Sequence, residues 1–288
     1  MELGINLKQR NGLIPKLGIV FILFVATINC FPQTDTLYLH SARLIGHRGG
    51  CNGLFPENSL SSIHESLDFF DGVEVDVFMS HENTLWLSHG QYLPDCNNKK
   101  WNIHKLNDSL IIKLNNGGGQ SHDYTKLDNV FSFIAKNHPD KCLSLDVKAW
   151  KPSNFATLLT FPIYKKMAIK IDSLYRMYPF CQLLIESHSF YFLNKIKQLN
   201  PDIKVCYISF RNHRKAIRIS MRNGYKAVSL KYLNKNNDFY NLIPFIKKNN
   251  IIVQAWTLND KNEILKADSL GIQYIQTDSR FIIKRKKE

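Results

Sequence analysis

The chain contains six cysteines, but no two of them stand at the CxxC spacing. Because paired CxxC thiolates are the usual ligands of structural zinc, we expect no cysteine zinc cluster. Cys142, Cys181 and Cys206 lie in or beside apolar runs, where free thiols are commonly buried. Cys51 and Cys96 fall in predicted loops and are candidates for an extracytoplasmic disulfide, which the sequence alone does not decide.

The sequence also lacks the patterns of nucleic-acid binding proteins, such as a helix-turn-helix, zinc-finger spacing or a ladder of basic and aromatic residues. Its 38 Lys and Arg residues exceed its 24 Asp and Glu residues, which gives a net charge of +14. The basic residues are scattered, apart from "KRKK" at 284–287. A basic balance favours anionic partners such as phosphates or acidic lipids, and we predict no nucleic-acid partner.

No apolar run is long enough to span a membrane comfortably. The longest near the N-terminus is "LGIVFILFVATINC", residues 17–30, which follows basic residues and precedes a polar stretch. This order predicts a secretory leader over residues 1–30 and therefore an exported protein. Cys30 also suggests a lipoprotein leader, although Asn29 occupies the position before the cysteine, where such leaders normally have a small residue. Cleavage, lipid anchoring and an uncleaved anchor stay open, and the last two would attach the chain to the membrane.

Beyond the leader, eight apolar runs alternate with helical patterns. The strand candidates are "RLIGH", "GVEVDVFM", "CLSLDVK", "QLLIES", "KVCYIS", "AVSLKY", "IIVQAWTL" and "YIQTD". The predicted helices cover residues 57–70, 126–137, 161–177, 191–199, 213–223, 238–249 and 260–270. Eight such units predict a parallel (β/α)8 TIM barrel over residues 43–285. A doubly wound open sheet is the competing architecture, but no GxGxxG follows a strand.

The connection over residues 80–124 interrupts this alternation. No clean helix follows the second strand, and the segment contains "LWLSHG", an Asn- and Lys-rich loop and "NNGGGQ". Connections of this length are usually functional covers or small inserted subdomains. We therefore predict one domain with an insertion over the barrel mouth, not two domains. The sequence has no internal repeats.

Acidic residues interrupt the second and third predicted strands. Side chains alternate along a strand, so Glu74 and Asp76 share one face, and Asp146 shares a face with Lys148 on the next strand. In a TIM barrel such groups project into the mouth at the carboxyl ends of the strands. Three converging carboxylates suit a hard cation such as Ca²⁺ or Mg²⁺, whereas a structural salt bridge is the alternative.

Two histidines lie at the ends of apolar runs, His47 after the first strand and His89 after "LWLS". Imidazoles that flank a metal site can act as base and acid near neutral pH. Arg48 and Lys148 add fixed positive charge, which suits a phosphate that develops negative charge during a reaction.

This ordered series resembles the glycerophosphodiester phosphodiesterase family, whose barrel begins with H-R-G at a strand end and continues with P-E-N, E-x-D and a histidine. The matching residues are His47-Arg48-Gly49, Pro56-Glu57-Asn58, Glu74-x-Asp76 and His89, followed by "KLDNVF", Ser187, "AWTLND" and "QTD". The resemblance covers nearly all of residues 43–282. It implies hydrolysis of a glycerophosphodiester to glycerol 3-phosphate and an alcohol.

The resemblance also implies roles for individual residues. His47 and His89 would be the acid/base pair, and Glu74, Asp76 and Asp146 would hold a divalent cation, Ca²⁺ or Mg²⁺. Arg48 and Lys148 would bind the substrate phosphate. Glu57 would either touch the metal shell or cap the first helix, and Trp256 would either line the substrate pocket or belong to the core.

Two positions depart from the family pattern. Gly90 stands where the family usually has Asp after the histidine, and Asp146 stands where it usually has Glu. We expect these differences to bear on substrate choice and metal affinity more than on activity itself. Two rival functions stay open: a phospholipase C or D type of phosphodiesterase on the same barrel, and a non-catalytic barrel that binds a phosphate ligand.

Overall fold

The structure is a computed structural model that describes residues 35–50, 55–95, 97–117, 123–148, 157–179, 182–232 and 238–286. The predicted leader over residues 1–30 lies outside the described residues, as do Cys51, Cys96 and Cys181. Cys142 and Cys206 are buried free thiols, as predicted. In the part of the chain that is described, no helix is both long and apolar enough to cross a membrane.

The described elements alternate as the sequence predicts. The strands are β1 (Thr36–Leu39), β2 (Arg43–Gly46), β3 (Gly72–Met79), β4 (Leu85–Leu87), β5 (Tyr92–Pro94), β6 (Lys100–Asn102), β7 (Cys142–Val147), β8 (Gln182–Ser187), β9 (Lys204–Ser209), β10 (Ala227–Lys231), β11 (Ile252–Trp256), β12 (Tyr274–Thr277) and β13 (Ile282–Arg285). The helices are α1 (Leu60–Leu67), α2 (Asp108–Gly117), α3 (Leu127–Asn137), α4 (Thr157–Met177), α5 (Phe190–Leu199), α6 (His213–Asn223), α7 (Asp238–Lys248) and α8 (Lys261–Ser269).

The eight predicted strands form a closed parallel barrel. Its order around the ring is β2, β3, β7, β8, β9, β10, β11 and β12, and β12 pairs with β2 to close it. All eight strand predictions and the TIM-barrel prediction are confirmed. The predicted helices are present too, with ends that differ from the predicted ones by a few residues at most.

Alternation along β3 explains how the barrel carries polar groups inside. Val73, Val75 and Val77 are fully or almost fully buried and pack in one core cluster with apolar residues of α1 and α3. The alternate residues Glu74 and Asp76 face the other way, into the barrel. The valines therefore fix β3 against the helices, and this packing presents both carboxylates to the interior.

The insertion contains a helix that the sequence analysis missed. It consists of β4, which pairs antiparallel with β3, the hairpin β5–β6 and the ten-residue helix α2. Ile111 of α2 packs in a small separate core with Phe78 and Trp86, and Asp108 accepts hydrogen bonds from Ser80 and from the Trp86 indole nitrogen. The prediction that this segment has no clean helix was wrong, because the helix is short and runs directly into a Gly-rich stretch that hides its period.

A second feature absent from the prediction is the parallel pair β1–β13, which lies outside the barrel. Asp268 fixes the chain between β1 and β2 by accepting hydrogen bonds from the backbone nitrogens of His40, Ser41 and Ala42 at 2.7, 3.1 and 2.9 Å. Both strands lie outside the alternation of strands and helices that identified the barrel, so that pattern did not reveal them.

Gly72 at the start of β3 is required by a close approach of two strands. It lies opposite Cys142 of β7, and a Cβ atom on it would lie 2.3 Å from the Cys142 carbonyl oxygen. Gly72→Ala is expected to lower the free energy of unfolding by about 1–3 kcal/mol, because the backbone must shift. Urea unfolding followed by circular dichroism measures this change. Gly90→Ala is the matched control, since its nearest neighbouring atom would lie 3.8 Å away; equal losses in both variants would contradict the explanation.

Candidate active site

The loop after β2 folds tightly against α1 and places His47 at the barrel mouth. Residues His47–Gly49 form a single 3-10 turn, in which Arg48 has a positive φ of 52°. A Cβ atom would meet the Ser62 hydroxyl at 2.4 Å on Gly49 and the Ser66 hydroxyl at 2.1 Å on Gly50. The glycines of "HRGG" therefore allow the loop to lie directly on α1, which fixes the position of the His47 ring.

Asp278, at the end of β12, holds the His47 ring. Its carboxylate lies 2.7 Å from Nδ1 of His47, and Asn259 donates a hydrogen bond to the same carboxylate at 3.0 Å. With Nδ1–H directed to Asp278, the other ring nitrogen, Nε2, carries the lone pair and lies 4.0 Å from Glu74. Burial raises the pKa of Asp278, but the hydrogen bond and charge of His47 outweigh this effect and lower it. Asp278 belongs to the "QTD" motif, but no role was predicted for it.

Asp278→Asn is expected to lower kcat roughly 10²-fold, the lower end of what a positioned acid or base contributes, because an amide can donate to Nδ1 and so leave the proton on the wrong ring nitrogen. Steady-state assays measure kcat, and thermal unfolding measures stability. Ser279→Ala is the control, because the Ser279 side chain has no hydrogen bond in the described part of the chain. An unchanged kcat with lower thermal stability would indicate a merely structural role.

Three carboxylates from β3 and β7 converge in the mouth. Glu74, Asp76 and Asp146 each offer an oxygen, and these oxygens lie within 4.8 Å of one another. Burial and the neighbouring carboxylates raise the pKa of Glu74 well above its usual range. Burial also raises the pKa of Asp146, to about 6, although Lys148 opposes this shift. Crowded, buried oxygens of this kind are suited to a hard divalent cation.

Lys148 and Arg48 bring positive charge to the same group. The Lys148 ammonium contacts Asp76 and lies 3.1 Å from Asp146, while Nε of Arg48 lies 3.6 Å from Asp76. Burial would lower the pKa of Lys148, but Asp146 and Asp76 outweigh it and raise it. Burial likewise opposes ionisation of Asp76, whose pKa is nevertheless lowered, mainly by Lys148. The positively charged side chains of Lys148 and Arg48 therefore lie beside the predicted carboxylates.

Asn58 is a further residue of the site that the sequence analysis left without a role. Its side chain donates to the Asp76 carboxylate at 2.9 Å and accepts from the Asp76 backbone nitrogen at 2.8 Å. Glu57 next to it forms an ion pair with Arg48 at 2.9 Å. The cap of α1 is Ser59, whose hydroxyl accepts from the backbone nitrogen of Ser62, so the capping role considered for Glu57 was wrong.

His89 lies at the exposed rim of the mouth, after β4. Its loop is tied to β3, because the backbone nitrogen of Ser88 donates to the Asp76 carbonyl at 3.0 Å. Partial burial lowers the pKa of His89; Asp76 opposes this shift, and Lys148 and Arg48 reinforce it. His89 also lines a cavity of about 250 Å³ between the insertion and the loop around Glu57.

Trp256 stands at the end of β11, across the barrel from β3. Phe210 packs edge-on against it at 4.9 Å between ring centroids, and the His188 ring stacks on Phe210 at the same distance. Trp256 is partly exposed, and its indole nitrogen has no hydrogen-bond partner among the described residues. Of the two roles considered for Trp256, this position favours a wall of the mouth over a core indole.

Glu186 lies inside the barrel near the carboxylates, and the sequence analysis did not single it out. Its carboxyl accepts hydrogen bonds from Gln276 at 2.9 Å, from Ser144 at 3.3 Å and from Ser229. Burial and the nearby Asp146 raise its pKa to about 7, although these hydrogen bonds oppose the shift. Glu186 and its three hydrogen-bond donors therefore form a connected polar network inside the barrel, near the carboxylates of the mouth.

Comparison with known proteins agrees with this geometry. Residues 47–280 match the model of the glycerophosphoryl diester phosphodiesterase family. A glycerophosphodiester phosphodiesterase of Caldanaerobacter subterraneus subsp. tengcongensis is 22% identical over 245 residues, which cover 82% of this chain and 93% of that protein.

Solved structures share the fold. One is a phosphodiesterase of Oleispira antarctica in complex with the product sn-glycerol-3-phosphate, at a TM-score of 0.66 and 20% identity over 83% of this chain and 93% of that one. Another is a glycerophosphodiester phosphodiesterase of Thermotoga maritima, at a TM-score of 0.65 and 19% identity over 83% of this chain and 95% of that one. With a family match over most of its length and its motifs together at one mouth, the chain belongs to the glycerophosphoryl diester phosphodiesterase family.

Proposed function

We propose that the protein is a metal-dependent phosphodiesterase that hydrolyses glycerophosphodiesters to glycerol 3-phosphate and an alcohol. The observation that carries the proposal is the meeting of His47, the three carboxylates Glu74, Asp76 and Asp146, and Lys148 at one end of the barrel. Membership of the family and the glycerol 3-phosphate complex of the Oleispira antarctica relative support the substrate class.

The donor set fits a divalent cation, which members of the family generally require. Among the described residues, the group consists of three carboxylates, and carboxylate oxygens favour Ca²⁺ or Mg²⁺ over softer metals. Glu74, Asp76 and Asp146 would hold the ion. When bound, it would withdraw negative charge from the phosphoryl oxygens.

His47 and His89 would move the protons of the reaction. Nε2 of His47, which faces the carboxylates, would take a proton from the attacking oxygen, either water or the neighbouring hydroxyl of the glycerol. As the new bond to phosphorus forms, the bond to the alcohol oxygen breaks, and His89 would give that oxygen its proton. Where the glycerol hydroxyl attacks, the product of this step is a cyclic phosphate. Water then adds to phosphorus, the ring P–O bond breaks, and the water's proton passes to the released glycerol oxygen, which gives glycerol 3-phosphate.

The remaining predicted residues would position the substrate. Lys148 and Arg48, which lie beside Asp76, would also bind the phosphate through their positive charges. The ion pair with Glu57 would keep Arg48 in place. Trp256 would form an apolar wall against the glycerol carbons.

A product assay tests the proposed function. Purified full-length protein is incubated with glycerophosphocholine and Ca²⁺ or Mg²⁺, and the products are separated. Glycerol 3-phosphate and choline are expected. Choline phosphate would instead indicate a phospholipase C type of cleavage, and tight binding of the diester without turnover would indicate a binding barrel.

Export is proposed for the same chain from its basic, apolar and polar N-terminal order. Cell fractionation with mass spectrometry of the mature N-terminus tests it. A mature chain that begins at a lipid-modified Cys30 would identify a lipoprotein, a shorter unmodified chain a cleaved leader, and an intact cytoplasmic chain would contradict export.

A further inference from the structure

The cavity beside His89 differs in charge from the protein around it. Its lining includes the carboxylates Glu57 and Asp123 and the rings of Tyr92 and Tyr124, and it includes no Lys or Arg among the described residues. In a chain with a net charge of +14, a cavity at the reaction mouth with this lining is suited to a cationic group.

Of the two carboxylates that line the cavity, Asp123 is the one better placed to pair with a bound cationic group. Glu57 is already paired with Arg48, whereas the Asp123 carboxylate has no hydrogen bond or ion pair in the described part of the chain. Asp123 is partly buried, and burial raises its pKa. A partly desolvated carboxylate without a partner gains more from a bound cation than a fully solvated one does.

The two tyrosines supply the other requirement for binding an ammonium group. Tyr92 is 50% exposed on the hairpin β5–β6, and Tyr124 is held in place by donating its hydroxyl hydrogen to the Pro94 carbonyl at 3.0 Å. Aromatic faces attract quaternary and primary ammonium groups through the ring quadrupole. A larger adjoining cavity of about 750 Å³ shares Asp123 and Tyr124, and its described lining also contains no Lys or Arg.

The position of the cavity identifies which part of the substrate it meets. On the proposed function, His89 protonates the departing alcohol oxygen, so the alcohol extends from phosphorus on the side of His89. We infer that this cavity is the alcohol subsite and that it selects glycerophosphodiesters of a cationic amino alcohol, with Asp123 as the charge partner and Tyr92 and Tyr124 as aromatic walls. The insertion over the mouth thus determines the head group.

The test compares three diesters with the full-length protein at saturating Ca²⁺ or Mg²⁺. Glycerophosphocholine and glycerophosphoethanolamine carry cationic alcohols, and glycerophosphoglycerol carries a neutral one. The kcat/KM for the cationic diesters is expected to exceed that for the neutral one by roughly tenfold, the scale of one partly desolvated charge contact. Equal kcat/KM values for all three diesters would overturn the inference.

Variants assign the preference to the cavity. Asp123→Asn is expected to bring the cationic-to-neutral ratio of kcat/KM close to one. Tyr92→Leu is expected to lower kcat/KM more for the choline diester than for the ethanolamine diester. Asp202→Asn removes one exposed carboxylate before β9, away from the mouth, and should leave the ratio unchanged. If Asp123→Asn lowers kcat/KM equally for all three diesters, Asp123 is not a head-group residue.

The subsite and the proposed function fail separately. Cleavage of all three diesters without preference would overturn only the subsite. If no diester were cleaved, the proposed function would fail, and calorimetric binding of glycerophosphocholine against glycerophosphoglycerol would still test the subsite. Tighter binding of the choline diester, lost in Asp123→Asn, would then support it, and equal binding would overturn it.

Discussion

Alanine at either histidine is expected to lower kcat for glycerophosphodiesters by roughly 10²–10⁴-fold, the usual contribution of a positioned acid or base. His47→Ala removes the nitrogen that faces Glu74 at 4.0 Å and that Asp278 orients. His89→Ala removes the group at the rim that lines the cavity of about 250 Å³. Steady-state assays at saturating divalent cation measure both losses, and circular dichroism checks that both variants are folded.

A substrate with an acidic alcohol separates the two roles. A nitrophenol departs from phosphorus without a proton, so a glycerophosphodiester of nitrophenol should restore much of the rate of His89→Ala and little of that of His47→Ala. His81→Ala is the matched control, because His81 is exposed and, within the described ranges, its side chain makes no hydrogen bond, while its backbone nitrogen donates to the Leu106 carbonyl. Equal recovery in both variants would show that the two histidines do not act as separate base and acid.

The barrel was predictable because burial imposes regular patterns on its strands. The run "GVEVDVFM" forms β3 over its whole length, since its valines face the helices and its acids face the interior. Helix α2 was not predictable by the same means. Its stability comes from Ile111 packing against residues of β3 and β4, a contact that no local pattern encodes.

The site was partly predictable for a similar reason. His47, Glu74, Asp76 and Asp146 follow from strand ends and alternation, because parallel strands carry their carboxyl ends to one face. Asp278 lies 231 residues from His47, and its hydrogen bond depends on closure of the barrel between β12 and β2. The sequence signal for this contact was an aspartate directly after β12, the last strand of the barrel. In a closed barrel that strand must pair with β2, the first barrel strand, which His47 follows.

Glu74→Gln is expected to remove most of the divalent-cation dependence of the protein. Glu74 contributes one of the three oxygens that lie within 4.8 Å, and an amide oxygen is a weaker ligand for a hard cation. In the original protein, a cation at 100 times its Kd should stabilise the fold by about 2.7 kcal/mol, which corresponds to a rise in Tm of about 5–10 °C. Thermal unfolding with and without Ca²⁺ or Mg²⁺ measures this rise, which should be much smaller in Glu74→Gln.

The sign of the pH dependence follows from the raised pKa values. Without a cation, burial and crowding hold the pKa of Glu74 well above its usual range and that of Asp146 at about 6. Protons therefore compete with the cation at low pH, and cation affinity should increase as the pH rises through about 6 toward 8.

The metal-free protein gives the opposite sign for stability. Raised carboxyl pKa values mean that the folded state binds more protons than the unfolded state, so without a cation these two groups favour folding less as the pH rises. Added cation should cancel that loss, and the Tm rise it produces should be larger at pH 8 than at pH 5.5. Glu82→Gln serves as control, because Glu82 is exposed and glutamine retains an oxygen to accept from the Asp108 backbone nitrogen. A cation-induced rise that is equal at both pH values, or equal in Glu74→Gln and the original protein, would mean that the carboxylate group does not bind the cation.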